Sequence, residues 1–249
     1  RKTVQHMQGG VVQKVLVKEG QEVKRGDPLV VLDDSTTRAA HETIRQNYLA
    51  QRAFEGRLMA EVSGAASITF HPDLMSATEA AATQHMSVQQ QLFNSRRASQ
   101  AAELGAARQT IAGLEGQIAG LNQMAESRRG QLAIQARQLE NVKALADEGF
   151  APRNQALQLE QAQAELRTSL ADLQTNIQRA QSAIAEARLR IAQREQDYLK
   201  EVSGQLAELR REVQANQERL AAITGELGRT QVKAPADGQI GRASCRERV

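Results

Sequence analysis

The sequence predicts a mainly α-helical fold, in which a long antiparallel coiled-coil hairpin and an additional helix are inserted between the two halves of a small β-sandwich. Three observations predict this fold. Valines alternate between turn glycines near position 20, a second short segment of the same kind lies near position 235, and the stretch between them is rich in alanine, glutamine, leucine and charged residues. That composition, with only 2% aromatic residues, is typical of long helices rather than of a conventional globular core.

The first β half covers residues 1–34, where short apolar runs alternate with turn residues. Gly20 and Gly26 suit tight turns because glycine accepts positive φ angles, and strands are expected over 10–17, 22–24 and 28–32. The alternation directs four side chains toward the interior, namely Val15, Val17, Val23 and Leu29. The pattern resembles the first half of a biotinyl- or lipoyl-type β-sandwich.

The complementary β half begins far downstream, at residues 229–240. Its letters VKAPADGQI, residues 232–240, resemble the opening of the second half of a split lipoyl domain. A carrier domain would next present a lysine for biotin or lipoate, but Asp33 and Asp34 follow the first half and suit a helix N-terminus instead. No cofactor is therefore expected, and a cofactor-carrying role is disfavoured.

Residues 35–62 are expected to form the additional helix, and residues 63–75 a linker. When extended, the linker is long enough to return toward the start of the hairpin, so the additional helix can pack beside the hairpin as a third helix. The competing layout continues the additional helix end to end with the hairpin. The sequence leaves both layouts open.

Residues 76–228 are expected to form the hairpin, because apolar residues recur there at alternating steps of three and four. The first seam comprises positions 104, 107, 111, 114, 118, 121, 125, 128, 132, 135, 139 and 142, with polar lapses at Arg128 and Gln135. The second comprises 166, 170, 173, 177, 180, 184, 187 and 191, then 202, 206, 209, 213, 216, 220, 223 and 227. The eleven-residue step from 191 to 202 is a stutter, which locally unwinds a left-handed supercoil.

The chain is expected to reverse within residues 144–155. Gly149 signals the end of the first helix, and Pro152 followed by Asn154 suits the start of the second. Counting back the length of the second arm reaches the proline-marked break at 71–74, which predicts equal arms. Each would be on the order of 110 Å long at a rise of about 1.5 Å per residue. Equal arms would bring the two β halves side by side.

The last residues, 241–249, resemble the translation of a sequencing adapter and are expected to be disordered. They contain the single cysteine, Cys245, so no disulfide, metal site or nucleophile is predicted from it. They also contain three arginines and one glutamate, and without them the net charge falls from +3 to +1. The basic balance of the whole chain therefore says little about its partners.

Composition and spacing argue against several classes of function. No run of about eighteen apolar residues is present to span a bilayer, and few aromatics without a basic patch argue against nucleic-acid binding. The four histidines, His6, His41, His71 and His85, are scattered without carboxylates or cysteines at ligand spacing, so no metal site is expected. No pairing of a nucleophile with a base is visible, and we predict no enzyme activity.

Four segments together resemble the HlyD-type membrane fusion proteins, and among them the periplasmic adaptors of type I secretion systems. These are VQHMQGGVVQKVLVKEGQEVKRGDPLVVLDDS, QQQLFNSRR, LADEGFAPRNQALQLEQAQAEL and GRTQVKAPADGQI, in this order within residues 1–240. The resemblance implies a periplasmic adaptor, anchored to the inner membrane of a Gram-negative bacterium, between an ABC exporter and an outer-membrane channel. It also implies a transmembrane helix before residue 1 and a β-barrel after the lipoyl domain, so a fragment is expected.

The resemblance places the contact with the channel at the hairpin turn. The expected partner-binding residues are Leu145, Glu148, Gly149, Phe150, Ala151, Pro152 and Arg153. The wider family carries an arginine, a leucine and a serine around this turn, which fall here at Asn141, Leu145 and Pro152, so only the leucine is kept. In the alternative interpretation, Phe150 closes the turn against the helix ends.

The family resemblance also implies a homo-oligomeric ring. Small residues on the outer faces of the hairpin, such as Ala162, Ala164 and Ala171, would let neighbouring hairpins approach closely. Two other functions remain open at this point. One is an adaptor of a multidrug efflux pump, and the other is a structural coiled-coil protein, which would leave both β halves unexplained.

Overall fold

The computed structural model describes residue 4 and residues 9–241. The elements follow in chain order: β1 Val12–Val15, β2 Glu22–Val23, β3 Pro28–Leu32, α1 Ser35–Ser63, α2 Pro72–Met75, α3 Ala80–Asp147, α4 Arg153–Arg229, β4 Gln231–Lys233 and β5 Gly238–Gln239. The adapter-like tail was expected to be disordered over residues 241–249, of which 242–249 lie outside the described residues, as do His6 and Cys245.

The chain divides into two compact units. The first, called here the three-helix unit, combines residues 1–93 with 201–249 and contains the strands, α1, α2, the start of α3 and the end of α4. The second, the hairpin unit, covers residues 94–200 and contains the rest of α3 and α4 with the turn between them.

The two β halves form one small sandwich, as the predicted fold class requires. β3 lies between β1 and β4 in a three-stranded antiparallel sheet, and β2 pairs with β5 in a second sheet. The Arg25 N–H donates to an Asp237 carboxylate oxygen at 2.7 Å, which ties a turn of the first half to the second half. Between the sheets, the buried core consists of Val23, Leu29 and Ala234.

The expectation that Val15 faces this core is wrong, because its side chain is 47% exposed. Val15 is the last residue of β1, which lies at the edge of its sheet and carries an irregularity in register between Val12 and Lys14. A simple alternation therefore does not run through the strand. Val17, beyond the strand, does pack partly against the core.

Helix α1 starts at Ser35, directly after the two aspartates. The Asp33 carboxylate accepts a hydrogen bond from the Ser35 N–H at 3.0 Å, which holds the pKa of Asp33 below its usual value. Asp34 occupies the cap position, but its side chain accepts no hydrogen bond from a backbone N–H, because its carboxylate pairs with Arg38 at 2.6 Å. Only one of the two expected capping side chains therefore bonds the first turn.

Of the two layouts for the additional helix, the structure has the third-helix arrangement. The Gln51 side chain bonds Glu212 at 3.1 Å and Asn216 at 2.9 Å, both on α4. On the α3 side, Arg57 donates to Gln89 at 2.7 Å. The chain after α1 turns back over Gly56, where an added Cβ would lie 3.2 Å from Ile68, so this close approach favours glycine.

The first arm of the hairpin begins at Ala80 rather than at 76, and the arms differ in length, with 68 residues in α3 and 77 in α4. The short helix α2, which was not predicted, occupies the end of the linker. Its cap is His71, whose Nδ1 accepts a hydrogen bond from the Asp73 N–H at 3.2 Å. Glu79, just before α3, bonds Arg45 of α1 at 2.5 Å, so the residues before Ala80 connect to α1.

The coiled-coil seam within the hairpin unit follows the predicted positions. From 104 to 142 every predicted seam residue is buried or half-buried, while all the residues between them are exposed. The predicted second seam is likewise covered from 166 to 191. Within the stutter, between seam positions 191 and 202, Tyr198 is half-buried and the Arg96 guanidinium lies over its ring at 5.4 Å. An aromatic residue therefore occupies the interval in which no seam position was predicted.

Candidate functional site

The candidate site is the turn of the hairpin unit, here called the turn segment, residues 145–153. Helix α3 ends in a Schellman motif, in which the Phe150 N–H donates to the Leu145 carbonyl at 2.8 Å and the Gly149 N–H donates to the Ala146 carbonyl at 3.2 Å. Gly149 has a φ of +84°, which a residue with a side chain adopts only at a cost. The sequence signal at Gly149 thus reflects a specific backbone geometry.

The second helix starts immediately after Pro152. Proline has no N–H to leave unpaired at this position, and its carbonyl accepts a hydrogen bond from the Gln155 N–H at 3.1 Å. An ion pair between Lys143 and Glu160 joins the two arms next to the turn. Ala156 is buried and Ala146 is half-buried, so small side chains close the end of the seam.

Apolar side chains project into solvent at this turn. Phe150 is 79% exposed and Leu145 is 47% exposed. Because Phe150 is so exposed, it does not close the turn against the helix ends. The hydrogen bonds of the Schellman motif and the small buried alanines hold the turn instead, and the large apolar side chains are left available for contact.

The predicted site residues extend from Leu145 in the last turn of α3 to Arg153 at the start of α4, and charged Glu148 and Arg153 are exposed on either side of Phe150 in the sequence. Sequence reasoning missed Leu157, which is 64% exposed in the first turns of α4. A signal was present, since extending the second seam back from 166 in steps of three and four reaches 163, 159 and 156 and leaves Leu157 outside it. We therefore add Leu157 to the apolar surface of the candidate site.

Within residues 4 and 9–241, none of the helices combines the length and the apolar character needed to cross a bilayer.

Comparisons with known proteins give consistent results over nearly the whole chain. The family described as AprE, long alpha-helical hairpin, matches residues 37–226. The alkaline protease secretion protein AprE of Pseudomonas aeruginosa is 36% identical over 241 residues, which cover 96% of this chain and 56% of that protein. The type I secretion system membrane fusion protein PrsE of Rhizobium meliloti is 31% identical over 240 residues, 96% of this chain and 55% of that protein.

A solved structure extends the similarity to three dimensions. The crystal structure of the soluble domain of LipC, a membrane fusion protein of a type I secretion system, superposes with a TM-score of 0.90 at 32% identity. The match covers 96% of this chain and 90% of that one. The chain spans about half the length of the curated relatives it matches. It belongs to the AprE family of long α-helical hairpin proteins.

Proposed function

We propose that this chain is part of a membrane fusion protein that links an inner-membrane ABC exporter to an outer-membrane channel for type I protein secretion. The observation that carries the proposal is the close superposition on the soluble domain of LipC over nearly the full length of both chains. The names of the curated relatives, which refer to protease secretion and to type I secretion, favour protein export over drug efflux. The role requires no catalytic or cofactor-binding residue.

A chimera tests this function. Residues 1–240 of this chain replace the matching region of the alkaline protease secretion protein in Pseudomonas aeruginosa cells that lack the native copy. Protease in the culture medium is measured beside the amount of chimera in the cells. Secretion above that of cells without the protein is the expected result, and a chimera that accumulates normally without any secretion would contradict the proposal.

The turn segment is the proposed contact with the outer-membrane channel. Leu145, Phe150 and the newly added Leu157 offer apolar surface on a turn whose backbone is held by its own hydrogen bonds. Interfaces depend strongly on a few such large side chains, and a preformed turn has little conformational entropy to lose on binding. Glu148 and Arg153 flank this surface and would contribute polar contacts at its rim.

Replacing Leu145 and Phe150 together by serine should abolish secretion by the chimera while leaving the hairpin folded, because exposed substitutions cost little stability. Leu189→Ser is the matched control, since Leu189 is 57% exposed on α4 away from the turn. Circular dichroism verifies helicity. Normal secretion by the double variant would place the channel contact elsewhere, and loss of helicity would assign these residues to the fold.

We also propose that the protein acts in the periplasm, anchored at the inner membrane, as a ring of identical copies. Ala164 and Ala171 are exposed on α4 and allow close approach of a neighbour, whereas Ala162 is half-buried. Crosslinking in cells that contain exporter and channel should give a ladder of oligomers. Monomers alone would contradict the ring.

A further inference from the structure

The middle of α3 contains an unusual concentration of glycines. Five lie within residues 105–130, at positions 105, 113, 116, 120 and 130, whereas the part of α4 in the hairpin unit contains none. Glycine in a helix interior lowers helix stability relative to alanine, by roughly fivefold in the folding equilibrium for each residue. The two arms of one coiled coil therefore differ in intrinsic helix strength.

No residue among 4 and 9–241 occupies the space that these glycines leave. An ideal Cβ built at any of the five would meet no atom within 4 Å, and all five positions are exposed. They lie outside the predicted seam, so the facing helix does not need them for close packing. Within this chain, their effect on α3 is a weaker backbone without a compensating contact.

The seam carries two polar residues, Arg128 and Gln135, toward the end of the same segment. Gln135 points into the seam, and its buried Oε1 has no hydrogen-bond partner among the described residues. Arg128, the other polar seam residue, bonds Gln131 of its own helix at 3.0 Å rather than a residue of α4.

Ion pairs between the arms are sparse along the same segment, where Glu115 pairs with Arg188. Glu103 pairs with Arg194 and Glu115 pairs with Arg188, both at 2.9 Å, and the next such pair is that of Lys143 with Glu160. Residues 116–142, all of which the structure describes, make no ion pair with α4. The same part of α3 thus combines five glycines with two polar seam positions, and beyond Glu115 it makes no ion pair with α4 within the described residues.

We propose that residues 105–135 of α3 form a compliant segment, which opens from α4 locally and reversibly before the remainder of the hairpin unit. Local opening is expected where helix propensity is low and buried contacts are few. Such a segment would let the hairpin bend or adjust its supercoil when the turn segment engages its partner. This use of compliance rests on the proposed function, whereas the local opening does not.

Amide hydrogen exchange on the intact chain tests the opening directly. Amides within 105–135 should exchange about 10- to 100-fold faster than those of the facing stretch 166–196, which contains no glycine. The variant Gly113→Ala/Gly116→Ala/Gly120→Ala should remove most of this difference, because alanine stabilises a helix more than glycine does. The added methyl groups meet no neighbour, so the substitutions introduce no clash. Equal exchange of the two stretches in the unmodified chain would overturn the proposal.

Matched substitutions separate a local effect from a general one. Gly204 and Gly225 lie on α4 in the three-helix unit and also have open space around an added Cβ. Replacing both by alanine should leave exchange within 105–135 unchanged. Altered exchange within 105–135 in this double variant would overturn the proposal. The proposal would also be overturned if the triple variant blocked crosslinked oligomers without slowing exchange, and that result would assign the glycines to close approach of another copy.

The secretion assay tests whether compliance is used. The triple alanine variant of the chimera should secrete less protease than the unmodified chimera at equal abundance, while the Gly204→Ala/Gly225→Ala chimera secretes normally. Undiminished secretion by a variant with slowed exchange would overturn the functional half of the proposal. A chimera that fails to secrete before any substitution would instead contradict the proposed function, and hydrogen exchange would still decide the local opening.

Discussion

The three-helix unit and the hairpin unit hold their helices together by different means. In the three-helix unit, α1 adds a second layer, and Leu49, Leu58 and Leu74 are completely buried. In the hairpin unit two helices share a single face, and the most enclosed residue is the small Ala125. Because two helices cannot surround a large side chain, a two-helix seam gains less from each residue than a three-helix core does.

Polar contacts differ in the same way. On α1, the buried Arg57 Nη1 donates to both carboxylate oxygens of Glu61 at 2.9 Å, and Arg57 also donates to Gln89 of α3 and stacks on Phe54. The ion pairs between the arms of the hairpin unit are largely exposed to solvent. A third helix therefore buries polar contacts that would otherwise be exposed to solvent, and the loss of a buried polar contact destabilises the fold more.

The largest expected effect is the loss of the buried pair. Arg57→Met removes the buried guanidinium that donates to Glu61 and to Gln89, which should lower the free energy of unfolding of the three-helix unit by about 3–5 kcal/mol. Hydrogen exchange of α1 peptides measures it. The double variant Arg57→Met/Glu61→Leu should recover most of the loss, because no charge then remains buried. If the double variant is as unstable as the single one, packing rather than charge holds this site.

The next effect tests the core of the same unit. Leu58→Ala should cost about 2–5 kcal/mol, since Leu58 is fully buried and its removal leaves a cavity. Met59→Ala is the matched control at the neighbouring position, where the side chain is largely exposed, and it should change stability by less than about 0.5 kcal/mol. Similar losses for the two variants would show that α1 is not packed as a third helix.

The corresponding truncation in the hairpin unit should have a smaller effect. Leu173→Ala removes a buried seam residue, but the open flanks of a two-helix seam allow side chains and water to fill the space, so a loss of about 2 kcal/mol is expected. Hydrogen exchange of residues 166–180 measures it, with exposed Leu189→Ala as the control. A loss as large as that of Leu58→Ala would remove the distinction between the two units.

The same comparison explains what the sequence could and could not predict. The seam of the hairpin unit is a property of local periodicity, so counting steps of three and four identified its covered positions, including the polar Arg128 and Gln135. Tyr198 was missed because the stutter breaks the period on which the count depends. The turn geometry at Gly149 was also predictable, since few residues accept its φ.

The three-helix unit was harder to predict because its contacts join residues that are distant in sequence. No period marks Gln51 as a partner of Glu212, or Arg57 as a partner of Gln89. The layout of α1 could therefore be stated only as two alternatives. The predicted inward orientation of Val15 was wrong for a related reason. In an edge strand with an irregular register, the direction of a side chain depends on the pairing with the neighbouring strand more than on the alternation of the sequence.

The smallest effect concerns pH and again separates the units. The hydrogen bond from Arg45 lowers the pKa of Glu79 below its ordinary value of 4.5 in the three-helix unit. A carboxylate with a lowered folded-state pKa stabilises the fold above its unfolded pKa, and this contribution disappears as pH falls through the folded value. The three-helix unit should therefore lose stability below about pH 4.5, over the range in which Glu79 becomes protonated. Since the Glu79 side chain is partly accessible, water screens the pair and the loss should be smaller than that of Leu173→Ala.

Glu79→Gln isolates this contribution. The variant removes the titrating group, so unfolding of α1 followed between pH 3 and 6 should show a flatter acid limb than in the unmodified chain, as expected for roughly one fewer linked proton. The same substitution at Glu208, whose pair with Arg211 is exposed on a single helix, is the matched control for the loss of a surface carboxylate. The Glu79 carboxylate pairs with a residue of another helix, whereas the Glu208 carboxylate pairs with a residue of its own helix. If Glu208→Gln flattens the acid limb as much as Glu79→Gln, the pH response comes from general surface charge rather than from the contact that holds α1 beside the start of α3.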